Sequence, residues 1–403
     1  MNIVYLTTAF LPENKGDNIY TDLVEALISN HHKVIVIAID QNAINKISTN
    51  NERGAIVHRI KVPKYYNVSY IKKGIASILY PYILKKRIRK LQITEKIDVI
   101  LHDSPPVTNS SVVSYLKKTL KSKSYLILKD IFPQNAVDLK MIKENTIVHR
   151  FFKKKEERLY DVSDFIGCMS EANMKYIIEH SAVNDKKVKY FPNTKKNTLV
   201  RYDMVDKNSL RKFYNLPENM ILFLVGGNLG KPQYPELLYE MVKRFKDSDI
   251  LGFVFIGRGS EKGKLLEYIN SNKINNCFVF EEMKRNDFEQ LASCTDAGLI
   301  TLNPNFTIPN YPSRILSYMQ VGLPIIAATD VNTDYRHLIQ DHNFGFWCSS
   351  NNFDNLGRVL TDFCKLSKDE RTIIGDMGHK YFIENFNISI SVKFLEEQLN
   401  HKA

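Results

Sequence analysis

The chain has 403 residues, 44% of them hydrophobic and 25% charged, with a formal net charge of +12. This balance excludes disordered, fibrous and low-complexity classes, and the length exceeds what one hydrophobic core usually serves, so two domains are expected. The five cysteines (Cys168, Cys277, Cys294, Cys348 and Cys364) are scattered, without a C-x-x-C pair or a histidine cluster, which argues against a disulfide framework or a zinc site. The opening MNIVYLTTAF reads as a strand rather than a leader, and no apolar run reaches the roughly 18 residues that span a bilayer; a soluble or peripheral protein is expected.

In chain order, apolar β-branched runs predict strands at 2–7, 33–39, 98–102, 125–129 and 165–169. A helix over 18–30 is predicted between the first two, with Ile19, Leu23, Ala26 and Leu27 on one face and Asp17 or Asn18 at its cap. Residues 190–215 are polar and suit a linker. The rhythm then restarts, with strands predicted at 221–225, 252–256, 277–280, 297–302 and 324–328, a helix from Ser313 to Gly322, and closing helices over 368–400. Strands alternating with helices in two rounds predict an α/β protein of two Rossmann-like domains, ligands binding at the carboxyl ends of the strands in a cleft between them. The expected boundaries are 1–195, 196–375 and a helical segment over 376–403 that crosses back to the first domain.

Several strand-to-helix turns carry chemistry suited to an anion. Gly16, after the first strand, either lets backbone approach a ligand closely beside a helix start or belongs to an ordinary strand-to-helix loop. Gly226, Gly227 and Gly230 in LVGGNLGKPQY either cradle a phosphate, with Lys231 adding charge, or form a plain tight turn. The string is neither a Walker sequence nor a dinucleotide fingerprint, which counts against ATPase and dehydrogenase activity. Arg258 stands between Gly257 and Gly259 at a strand end, where it either meets phosphate oxygens with its planar fork or is a plain exposed loop arginine. In IPNYPSRILSYMQVGLPII, the backbone amides of Ser313 and Arg314 are among the free N–H groups of a helix start. The only D-x-D string, Asp247 to Asp249, precedes a strand and reads as a surface turn.

From Arg53 to Lys90 there are eleven lysines and arginines, Lys72, Lys73, Lys85, Lys86, Arg87 and Arg89 among them, and no acid, with Tyr65, Tyr66, Tyr70, Tyr80 and Tyr82 interleaved. An anionic membrane surface, a nucleic acid and a merely solvated face all compete for this stretch, though no nucleic-acid module surrounds it.

Taken together, TTAFLPENKG, HHKVIVIAID, HDSPPV, LKDIFPQNAVDL, KVKYFPNT, GGNLGKPQ, FVFIGRGSEKGKL, LASCTDAGLITL and NYPSRILSYMQVGLPII resemble, in order and spacing, the family 4 retaining glycosyltransferases of GT-B fold. The similarity is strongest to the bacterial branch that builds capsule, O-antigen and exopolysaccharide repeat units, and it covers nearly the whole chain. It implies a nucleotide-sugar donor, UDP-linked, in the second half and a saccharide or polyprenyl-diphosphate-linked acceptor in the first. It also implies transfer with retention of configuration, no metal or other cofactor, no nucleic acid as partner, and a cytoplasmic enzyme peripheral at the inner face of the membrane.

On this resemblance the donor residues are Gly16, Gly227, Asn228, Lys231, Gly257, Arg258, Tyr311, Ser313, Arg314 and Ser317. Asp130, at the carboxyl end of a predicted strand, either handles the acceptor hydroxyl or orients the sugar, or else only caps the turn ahead of Pro133. The family's pair of glutamates falls on Pro309 and Ser317, and its phosphate-site arginine and lysine are replaced in the neighbourhood of Asn228, Lys231 and Gln233. These departures keep two alternatives in view: a nucleotide-sugar 2-epimerase of the same fold, and a non-catalytic sugar-nucleotide-binding subunit.

Overall fold

Continuous apolar runs become the buried strands of two separate, mainly parallel sheets. The computed structural model describes residues 1–64, 70–197 and 206–400, without the side chains of 70–75 and 77. The chain divides into two units, Met1–Lys196 with Ile388–Ala403, and Asn197–Asn387.

In the first unit β1 (Asn2–Thr7) leads into α1 (Ile19–Ser29). Asn18 fixes the start of α1: its side chain accepts from the Tyr20 and Thr21 N–H groups, while Thr21 Oγ1 accepts from the Asn18 N–H. Then come β2 (Lys33–Asp40), β3 (Ile47–Glu52), β4 (Ala55–Lys61), α2 (Tyr70–Ile88), β5 (Val99–Ser104), α3 (Ser110–Leu120), β6 (Lys123–Leu128), α4 (Gln134–Asp138), α5 (Ile147–Val162), β7 (Phe165–Cys168), α6 (Glu171–His180) and β8 (Val188–Tyr190). The sheet order is β3-β4-β2-β1-β5-β6-β7-β8, with only β3 antiparallel to its neighbour. The order reverses between β1 and β5, which opens a crevice at their carboxyl ends.

The β3–β4 hairpin corrects the expectation of a continuous basic surface from Arg53 onward. Arg53 and Gly54, with φ of 53° and 79°, form its two-residue turn. The Arg53 guanidinium is buried, donating to Asp17 at 2.6 Å, Glu25 at 2.5 Å and the Gly16 carbonyl at 2.9 Å. Arg59 is likewise buried and paired with Glu52. Both cations brace the unit internally.

The second unit contains α7 (Lys207–Phe213), β9 (Ile221–Asn228), α8 (Pro235–Arg244), β10 (Leu251–Arg258), α9 (Lys262–Ser271), β11 (Cys277–Phe280), α10 (Arg285–Ser293), β12 (Ala297–Thr301), α11 (Arg314–Gln320), β13 (Ile325–Thr329), α12 (Tyr335–Asp341), β14 (Gly345–Ser349), α13 (Phe353–Cys364) and α14 (Lys368–Asn385). Its all-parallel sheet runs β11-β10-β9-β12-β13-β14, with the reversal between β9 and β12. Phe223, Phe253, Phe255 and Phe363 fill one face between the sheet and its helices. The stretch expected to be a linker, 190–215, holds the end of β8 and all of α7, and residues 198–205 lie outside the described residues.

The closing segment is divided between the units rather than forming one body. α14 belongs to the second unit, and α15 (Ile388–Asn400) packs in the first, on α1. Ile388, Val392 and Leu395 enter the first unit's core, Tyr125 Oη donates to Gln398 at 2.6 Å, and Ser391 and Thr194 hydroxyls meet at 2.6 Å.

Candidate functional site

In the second unit, chemistry collects where β9 ends beside α11. Tyr318 of α11 is fully buried, its hydroxyl accepting from the Gly226 N–H at 2.8 Å and donating to the Leu224 carbonyl at 3.2 Å. Its ring lies where a side chain on Gly298 would be: a Cβ there would stand 2.2 Å from the Tyr318 ring. Residues four apart share a helix face, so seating Tyr318 on β9 and β12 sets Arg314 one turn earlier along the same face. A Cβ on Gly227, whose φ is 103°, would stand 3.7 Å from the Arg314 guanidinium carbon.

Arg314 is half-buried, and its Nη1 has no hydrogen-bond partner among the described residues. No carboxylate lies within ion-pair reach, 4.0 Å, among those residues. Burial lowers its pKa, Tyr318 and Tyr335 pulling the other way, and the group stays charged at neutral pH. An unpaired, partly desolvated cation beside a glycine turn is costly in isolation and suited to an anion. The sequence points to the backbone of Arg314; the geometry brings its side chain to the glycine turn.

The other expected donor residues are placed as follows. Gly257, with φ of 134°, serves strand contact, since a Cβ there would fall 2.0 Å from the Gly227 carbonyl oxygen. Asn228, the last residue of β9, and Lys231, on the connection to α8, are exposed. Arg258 pairs across in register with Asn228, but its side chain is 79% exposed and lies 3.6 Å from Glu282. Ser313 is exposed at the entry to α11, a helix of only seven residues. Tyr311 is buried edge-on against Tyr335 at 4.8 Å, and Tyr335 Oη donates to the Pro312 carbonyl at 2.6 Å, which fixes the entry segment. Ser317 is half-buried and already engaged by a neighbour.

In the first unit the carboxyl ends of β1, β5 and β6 carry titratable groups with shifted pKa values. Asp103 is buried, accepts from Tyr5 Oη at 2.8 Å, and leaves Oδ2 without a partner among the described residues. Burial pushes its carboxyl up to about 6 despite hydrogen bonds from Thr7 and Tyr5 and the nearby charge of Lys129. Lys129 donates to Asn193 Oδ1 at 2.6 Å and lies 6.0 Å from the Tyr20 ring centroid; burial lowers it to about 8, against the pull of Asp103. Next in the chain, Asp130 is half-buried, makes no hydrogen bond or ion pair among the described residues, and is raised to about 6 by burial. A carboxyl poised near neutrality and not otherwise engaged has the properties of a general base.

Asp103 and Lys129 are not singled out in the sequence, although a polar residue ending an apolar run, as in LHDS and LILKD, is the available signal. Gly16 has φ of 91°; its N–H bonds Glu13 and its carbonyl accepts from Arg53, so both backbone groups are engaged.

Of the expected basic patch, Lys86 is exposed on α2 and Arg89 just past its end, with Arg89 over the Tyr115 ring at 5.3 Å and Lys85 over Tyr82 at 5.2 Å. Arg87 has a buried Nη1 without a partner among the described residues. The side chains of Lys72 and Lys73, and all of Tyr65 and Tyr66, lie outside the described residues. No described helix is long and apolar enough to cross a membrane. Among the described residues no group of three or more His, Cys, Asp or Glu side chains is arranged to hold a metal ion.

Residues 206–381 match the family of glycosyl transferases group 1, which accounts for most of the second unit. Over 339 residues the chain is 22% identical to the "Probable glycosyltransferase WbjE" of Pseudomonas aeruginosa, covering 83% of this chain and 81% of that one. WcaI of Escherichia coli (strain K12), whose name ties it to colanic acid biosynthesis, is 24% identical over 180 residues, 44% of this chain and 43% of its own. The structure of HepE from Anabaena, solved with UDP and glucose, superposes with a TM-score of 0.71 at 14% identity, covering 98% of this chain and 99% of that one. The fold is GT-B.

Proposed function

We propose that the protein transfers a sugar from a nucleotide-diphosphate donor, UDP-linked, to a saccharide or lipid-linked acceptor in the assembly of a surface polysaccharide, with retention of configuration and without a metal. One observation carries this reading: the unpaired Arg314 guanidinium beside Gly227, at the topological switch of a sheet whose sequence matches group 1 glycosyl transferases. Bond cleavage between the sugar and the diphosphate builds negative charge on the leaving group, and a fixed cation lowers that barrier. Arg314 supplies the cation, with Lys231 and Arg258 as exposed auxiliaries, Ser313, Asn228 and Gly227 contributing backbone or amide contacts, and Ser317 a ribose contact. Asp130 takes the proton from the acceptor hydroxyl as that oxygen bonds to the sugar.

The basic, aromatic face of α2, with exposed Ile78, Leu79 and Tyr82, supports peripheral association with an anionic membrane on its cytoplasmic side. Thermal-shift titration against a panel of UDP-, GDP- and dTDP-sugars tests the donor. Stabilisation by one UDP-sugar is expected, and indifference to the entire panel overturns the reading.

A further inference from the structure

We infer that the groove between α3 and α5 of the first unit is a binding site for a phosphate group, as a free ion or an ester. It lies outside the strand-end residues assigned above and does not depend on glycosyl transfer. The cavity has a volume of about 390 Å³ and is lined by Ser110, Ser111 and Ser114 on α3 and by Lys155, Arg158 and Asp161 on α5.

Ser110 is only 4% exposed, lines the cavity, and has no side-chain hydrogen-bond partner among the described residues. A hydroxyl at the groove wall that no protein group engages is available to donate to a ligand, and one such hydrogen bond contributes about 0.5–1.5 kcal/mol. Ser111 and Ser114 present two further hydroxyls, placed by helical spacing on the same side of α3.

Opposite them, neither Lys155 nor Arg158 makes an ion pair with a carboxylate among the described residues. The Lys155 ammonium stands over the Phe151 ring, 5.4 Å from its centroid. Burial lowers the Lys155 pKa, and the charges of Arg158, Lys85 and Lys154 lower it further, so Lys155 sits in a crowd of like charge at this groove. The Asp161 carboxylate is the one acid on its wall and leaves the local charge positive. An anion relieves that repulsion.

Three hydroxyls and two cations form a donor set too large for the two oxygens of a carboxylate and matched to the several acceptor oxygens of phosphate. The phosphate comes either from a lipid headgroup or from a soluble ester.

Calorimetric titration with inorganic phosphate at low ionic strength tests the site. Saturable binding is expected, weakened at least ~10-fold by Arg158→Gln and about 5-fold by Ser110→Ala. Lys393→Gln, which removes the same charge from α15, leaves it unchanged. Absence of saturable binding, or equal loss in all three variants, or no loss in Ser110→Ala and Arg158→Gln, overturns the inference. Melting curves confirm folding, and if Ser110→Ala does not fold, Ser111→Ala takes its place. Cosedimentation with phosphatidylcholine vesicles, with and without phosphatidic acid, separates the sources. Recruitment by phosphatidic acid that Arg158→Gln and Ser110→Ala weaken in the same order as phosphate binding assigns a lipid headgroup, and phosphate binding without recruitment assigns a soluble ester.

Discussion

The two sheets share a topology and differ in what their strand ends carry. In the second unit the switch between β9 and β12 is built from glycines and one unpaired guanidinium, Arg314, close to Gly227. In the first, the ends of β1, β5 and β6 carry two carboxyls raised to about 6 and a lysine lowered to about 8. One edge offers fixed charge and open backbone; the other offers groups that change protonation near neutral pH. The fold thus provides two equivalent places, and a few side chains decide that one suits an anion and the other proton transfer.

The sharpest way to break this contrast is Asp130→Asn. It is expected to cut turnover by ~10²–10⁴-fold while leaving UDP-sugar binding by calorimetry unchanged. The sign of the pH effect follows from the shift. A base must be deprotonated, so wild-type activity rises with pH through about 6, the value to which burial raises Asp130, and this limb disappears in the variant. Equal activity in both proteins, or an acid limb that persists, removes Asp130 from the reaction.

Next in size is Arg314→Gln. Losing one member of a desolvated charge pair costs about 2–5 kcal/mol, so UDP binding should weaken by ~30-fold or more. Without ligand the cation has no carboxylate partner, so the variant should be as stable as wild type or up to about 1 kcal/mol more stable in urea unfolding. A residue held only for packing gives the opposite pair of results: unchanged UDP affinity and lower stability.

The contrast itself was only partly legible in the sequence. Strands such as Ile221–Asn228 and Lys33–Asp40 announce themselves because a parallel sheet buries both faces and needs an unbroken apolar run. β3, reading ISTNNE, is a solvated edge strand with no such run, so its hairpin partner gave no warning that Arg53 turns inward to Asp17 and Glu25. The helix holding Arg314 was readable from its proline entry and its glycine exit. The direction of its side chain was not, because that depends on Tyr318 resting where Gly298 lacks a Cβ, a contact made across the sheet. Asp103 and Lys129 escaped for a similar reason: their shifts arise from burial by β1, β5 and β6 together, which no single segment displays.

The smallest expected effect separates position from engagement. Arg258 sits beside Asn228 at the same strand edge as Gly227, and by sequence alone it is as good a phosphate ligand as Arg314. Its side chain is 79% exposed, and the nearby Glu282, 3.6 Å away and itself 58% exposed, competes for the charge. Exposed ion pairs contribute about 0–1 kcal/mol, so Arg258→Gln should weaken UDP binding by less than about 5-fold and leave the melting temperature unchanged. That small loss should shrink further as salt is raised, since an exposed cation is screened, whereas the Arg314 effect persists. If instead Arg258→Gln matches Arg314→Gln at both salt concentrations, the loop after β10 closes onto the ligand, and exposure in the free protein is no guide to which cation holds the diphosphate.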